Sequence, residues 1–215
     1  KDNFPKLMDA LMQLGVKDPQ LLFMAVGDHE YDRYPIQVGQ FESDTEKIVN
    51  SLEEFVLEGG GGGNAGESYL LAHIIAGYHT ETDSWFKRHK KGYLFTIGDE
   101  PPPPDNVNSN RYIDCFGNDA LVMKPSQSFV EASKQFNVFH LIIENGGYCK
   151  VRPERVIPAW RELIGNNAIL VNDVAALSDI IIAIISINES ILSIDDAIKQ
   201  STYSTSVKNA FRLID

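Results

Sequence analysis

The sequence predicts an α/β fold, a three-layer sandwich with a doubly wound, mostly parallel sheet and one antiparallel edge strand. Three observations carry that expectation. Four short, nearly continuous apolar runs lie at 21–26 (LLFMAV), 93–97 (YLFTI), 138–143 (VFHLII) and 168–171 (AILV), the pattern of strands covered on both faces. Segments of helical period separate them, and strands alternating with helices build a parallel sheet. The run at 36–41 (IQVGQF) follows the first strand after only the short loop 27–35. A parallel return needs a crossover of about a dozen residues, so these two strands are antiparallel neighbours.

The elements follow in order. Phe4, Leu7, Met8, Leu11 and Leu14 form one helical stripe, with Pro5 suited to a first turn. Polar Gln37 and Gln40 with Gly39 mark the second strand as an exposed edge. A second helix starts at Asp44 as N-cap and turns Ile48, Leu52, Phe55 and Val56 inward. Five glycines, 59–63, end it, and no side chain there can hinder a close backbone approach. A third helix spans 67–78 on Leu70, Leu71, Ile74, Ile75 and Tyr78. The prolines 101–104 form a stiff loop that continues, Asn- and Ser-rich, through Asn110. Further helices are expected at 129–136, 157–164 and 175–187. The domain is expected over 1–190, with 191–215 as a C-terminal helical arm. The sequence shows no internal repeat.

Composition excludes several classes. With 215 residues, 43% hydrophobic and 23% charged, the chain suits a single globular domain rather than a disordered one. Its longest apolar run, 180–187, is far short of the ~20 residues that span a bilayer, so a soluble, cytoplasmic protein is expected, with no membrane partner. A net charge of −11 argues against binding nucleic acid. The basic run 87–91 (KRHKK) reads as a solvated loop. Two cysteines, Cys115 and Cys149, are too few for a disulfide framework and suit a reducing compartment. The first residue is Lys, with no leader pattern after it, so further residues are expected upstream.

In an open α/β sheet, ligands bind beyond the carboxyl ends of the strands. Those positions hold Gly27, Asp28 and His29 after the first run, and Gly98, Asp99 and Glu100 after the third. Glu144 and Asn145 follow the next run, and Asn172 and Asp173 the last. Asn64 and Glu67 flank the glycine-rich turn. These are oxygen donors suited to a hard cation such as Mg²⁺, Mn²⁺ or Ca²⁺. For Asp28 and Asp173 the plainer role of turn former or helix cap is favoured. Phosphate-loop, serine-hydrolase and zinc-protease motifs are missing from the sequence, and the five histidines show no zinc spacing. His140 is expected in the core; His73 and His79 are expected at the surface.

The segments IQVGQFESD (36–44), GGGGGNAGESYLLA (59–72) and YLFTIGDE (93–100) together resemble a von Willebrand factor A domain. The order is helix, antiparallel edge pair, helix, glycine-rich turn, helix, then a strand ending in Asp. The later segments VFHLIIENGG, AWRELIG and ILVNDVAALSDIIIAII fit the last units of that fold. The resemblance covers about residues 4–190 and is greatest to the intracellular bacterial and phage members. It implies a metal-ion-dependent adhesion site, with Asp99 as the third-loop ligand and Asn64 or Glu67 as the second-loop ligand, Asn64 standing where the family usually has Thr.

The first-loop motif, Asp-x-Ser-x-Ser, does not occur in these residues. The resemblance places the strand that carries it between the strands at 21–26 and 93–97. That strand is expected upstream of Lys1, rather than supplied by another chain or made unnecessary by rearrangement. The cation is expected only where such a loop completes the site. The implied function is a protein-interaction module that bridges through a divalent cation to a partner's carboxylate, without catalysis, as a possible oligomer or a subunit of a larger assembly or ATPase complex. The alternatives are a metal-dependent phosphoryl-transfer or hydrolytic enzyme using Asp28, Asp99 and Glu67, and a structural subunit with a decayed metal site.

Overall fold

The computed structural model describes residues 4–59, 67–104, 115–116 and 124–211. It is a mixed helix and strand structure with two sheets. Helix α1 (Phe4–Gln13) leads to strands β1 (Met24–Val26) and β2 (Ile36–Val38), then helices α2 (Thr45–Glu54), α3 (Tyr69–Tyr78) and α4 (Asp83–Phe86). Strand β3 (Gly92–Gly98) follows, then α5 (Pro125–Gln135), β4 (Phe136–Ile143), α6 (Gly147–Val151), α7 (Pro153–Ile164) and β5 (Ala168–Val171). Helices α8 (Leu177–Asn188), α9 (Ile194–Gln200) and α10 (Ser204–Phe211) complete the described chain.

Strands β3, β4 and β5 form a parallel sheet in that order, with Phe95 opposite Phe139 and Leu141 opposite Ile169. The near-continuous apolar run of β4 is what a central strand requires, because its alternate side chains enter different cores. Phe139 and Leu141 pack on one face with Leu7 and Leu11 of α1 and Ile180 and Ile184 of α8. Ile142 packs on the other face with Tyr69 of α3 and Val156 and Trp160 of α7. Strands β1 and β2 pair antiparallel, Met24 opposite Val38, as the short loop between them dictates.

Among the described residues the strands form two sheets, and the break falls between the runs at 21–26 and 93–97, where a further strand was expected. The hairpin β1–β2 and the sheet β3–β4–β5 are separate, although α3 touches both β1 and β3. Leu21, just before β1, packs in the same core as Tyr93 and Phe95 of β3. Among the described residues no strand lies between the hairpin and β3, so β3 is an edge. Its Ile97 is accordingly 38% exposed, whereas Leu141 in β4 is fully buried.

Local chemistry sets the helix ends. Asp44 Oδ1 accepts the Lys47 N–H at 3.0 Å and caps α2 as predicted. That helix stops at Glu54, and Val56 is half exposed rather than turned inward. The reason is a strap to β2: the Gln37 amide donates to Val56 O and accepts from Val56 N–H, both at 2.9 Å. The C-terminal segment is helical as expected and packs onto the rest of the chain. Ala197, Val207 and Ala210 enter the same core as Leu141, and α10 lies against β5.

Candidate functional site

The ends of β1 and β3 and the start of α3 converge. The Ser68 N–H, just before α3, donates to Gly27 O at 3.3 Å. Ser68 Oγ accepts the His29 N–H at 3.0 Å and lies 2.6 Å from His29 Nδ1. The loop after β1 is therefore tied to the first turn of α3. Within it, Asp28 Oδ1 accepts the Glu30 N–H at 2.8 Å and Asp32 Oδ2 accepts the Asp28 N–H at 2.7 Å. Asp28 is thus the turn former that the sequence suggested. It is also a buried carboxylate facing the site.

Asp99 stands at the end of β3 and meets the N-terminus of α6. Its Oδ2 accepts the Tyr148 N–H at 2.7 Å, an interaction that the helix dipole favours. Gly146 makes this possible, because a Cβ there would fall 2.4 Å from the Asp99 Cβ. Gly98 performs the same service for Tyr69, whose ring crosses the strand end where any Cβ would collide with the phenol oxygen.

Glu67 is the electrostatic centre of this edge. Burial pushes its carboxyl from an ordinary 4.5 up to about 7, with Glu100, Asp28, Asp32 and Asp99 pushing in the same direction. Its Oε2 is buried and accepts no hydrogen bond. Asp99 and Glu67, both predicted as ligands, thus act on each other electrostatically along this edge. Asn64, the third predicted ligand, lies outside the described residues, as do the glycines 60–63. Asp173 is elsewhere and caps the short turn at Val174–Ala176 through the Ala175 N–H. Sequence reasoning missed Asp32, which sits inside a loop rather than at a strand end.

Beneath the carboxylates lies a buried aromatic cluster that was also missed. His140 stacks on Trp160 at 3.5 Å between ring centroids, and Tyr69 meets both edge-on. His140 Nδ1 pairs with Thr96 Oγ1 at 2.8 Å, and Trp160 Nε1–H donates to Glu100 O at 2.9 Å. The cluster therefore supports the backbone that follows Asp99. His140 is in the core as expected. His73 corrects the prediction: it is buried, and neither ring nitrogen has a hydrogen-bond partner. Its helix is apolar on nearly every side (YLLAHIIAGY), which was the available signal for burial. Burial lowers its pKa from 6.5 to about 4, and that of His140 also falls well below the ordinary value. His79 is exposed.

The donor set fits a hard divalent cation in its chemistry. It is all oxygen, one buried oxygen has no donor, and mutual repulsion inside it would be relieved by positive charge. Asp99 can keep the Tyr148 N–H on Oδ2 and offer Oδ1. Among the described residues no three His, Cys, Asp or Glu side chains already converge as a ligand set, so binding requires the carboxylates to rotate inward. No helix among the described residues is long and apolar enough to cross a membrane. No family model, curated protein or solved structure matches this chain.

Proposed function

We infer that the chain is a von Willebrand A-like interaction module whose carboxylate edge holds Mg²⁺ or a similar cation and presents it to a carboxylate of a protein partner. The observation that carries this reading is Glu67: an orphaned buried carboxyl oxygen among four other carboxylates. Such a group demands a proton or a cation. Asp99 and Glu67 would be protein ligands, with Asp28 and Asp32 close enough to add charge; a cation so held keeps water-filled positions open to a partner. The order of strands supports the same reading, because β1 and β3 share the cover of α3 without pairing, and the family's first strand belongs between them.

Mn²⁺ added to isotopically labelled protein tests the site, because the paramagnetic ion broadens only nearby amide signals. Residues 28–32, 67–69 and 98–100 should broaden first, and Asp99→Ala should remove the effect. Broadening scattered over the acidic surface, unchanged in Asp99→Ala, would refute the site.

A further inference from the structure

Beside the carboxylate cluster opens a cleft of about 490 Å³. Asp32 and His29 line it, together with Arg33, Tyr34, Pro35, Ile36 and Cys115. Resting on the cation-bridge reading above, we propose that this cleft is the specificity pocket of the interaction, taking an aromatic side chain adjacent to the partner's acidic residue.

Three features define that occupant. The cleft adjoins the carboxylates through Asp32, which lines its wall and whose Oδ2 accepts the Asp28 N–H at 2.7 Å. A residue next to the partner's bridging Asp or Glu therefore reaches it without a long linker. Its wall carries an aromatic face and a cation: Tyr34 is 41% exposed, and the Arg33 guanidinium sits over the Tyr34 ring at 5.3 Å from its centroid. An aromatic ring can stack on that pair, using both the π-face and the cation. Finally, the wall is held in place before binding. The two oxygens of Glu58 accept the Arg33 N–H at 3.0 Å and the Tyr34 N–H at 2.8 Å, so little ordering is left for the partner to impose. An acidic side chain in the cleft itself would face Asp32 and its neighbours, which is why the acid belongs on the cation and the ring in the cleft.

The test uses two pools of capped pentapeptides with a central Asp, followed by Phe in one pool and Gly in the other, and with the remaining positions randomised. Affinity is measured by fluorescence polarisation with and without Mg²⁺. Alkylation of Cys115 by iodoacetamide is followed in parallel, since Cys149 is buried. The Phe pool should bind about tenfold tighter than the Gly pool, as expected for burying one large apolar side chain, should need Mg²⁺, and should slow Cys115 alkylation. Tyr34→Ala should remove most of that preference. Equal, Mg²⁺-dependent binding of both pools would overturn the pocket and leave the cation bridge standing, as would a Phe preference that survives in Tyr34→Ala. Binding by neither pool would overturn both.

Discussion

His73 and Glu67 pull stability in opposite directions across the acid range. His73 titrates at 6.5 when unfolded and at about 4 when folded. The unfolded state then holds the extra proton, so the contribution of His73 is present above 6.5 and is lost as pH falls toward 4. His140 shifts in the same direction, and neither imidazole has a carboxylate among the causes of its shift. Glu67 is raised from 4.5 to about 7, so its contribution is fully present below 4.5 and is lost as pH rises through 7. In urea melts between pH 4.5 and 6.5, Glu67→Gln should steepen the gain in midpoint with pH, and His73→Leu should flatten it. At neutral pH His73→Leu should also stabilise by about 1 kcal/mol, because it removes buried polar atoms that have no partner. A profile in Glu67→Gln no steeper than that of the unaltered protein would show that Glu67 is not held protonated in the folded state. Both residues stood in plain view in the sequence. Their pKa shifts did not, because both arise first from burial in the folded chain, and Glu67 is pushed further by Glu100, Asp28, Asp32 and Asp99, which lie 32–39 residues away in the sequence.

At the scale of elements, the strand runs and helix periods were legible because burial writes itself directly into apolar spacing. β5 runs over Ala168–Val171 as predicted, and β4 extends the predicted 138–143 by two residues to Phe136. Asp44 was legible as a cap because its chemistry is local. The short helix α6 was not: five residues beginning at Gly147 carry too little periodicity to detect. It forms against Asp99, which supplies an acceptor at its N-terminus. The same non-local logic makes Gly98 a structural requirement. Gly98→Ala would place a Cβ against the Tyr69 phenol, forcing Tyr69 off His140 and Trp160. The loss should be about 3 kcal/mol or more in chemical denaturation, comparable with overpacking a core. A loss below about 0.5 kcal/mol, the range of neutral surface changes, would mean that the ring does not hold this strand end.

At the scale of the whole molecule, two half-sheets share helices without sharing hydrogen bonds, and the carboxylates collect where the two halves meet. The α/β class was legible from alternation alone. The division into two sheets follows from pairing, which no single segment encodes. The C-terminal helices read as an arm because turn residues are frequent there, and Ala197, Val207 and Ala210 are placed to close the core beside β5. Whether a cation belongs among these carboxylates is tested most directly by calorimetric titration of Mg²⁺ at a pH just below 7. There Glu67 still carries a proton much of the time, so a cation that binds it must expel that proton. The titration should give heat that differs between two buffers of unlike ionisation enthalpy, and Glu67→Gln should weaken the binding and erase the difference. No binding heat in either buffer, or heat that is the same in both, would contradict the account.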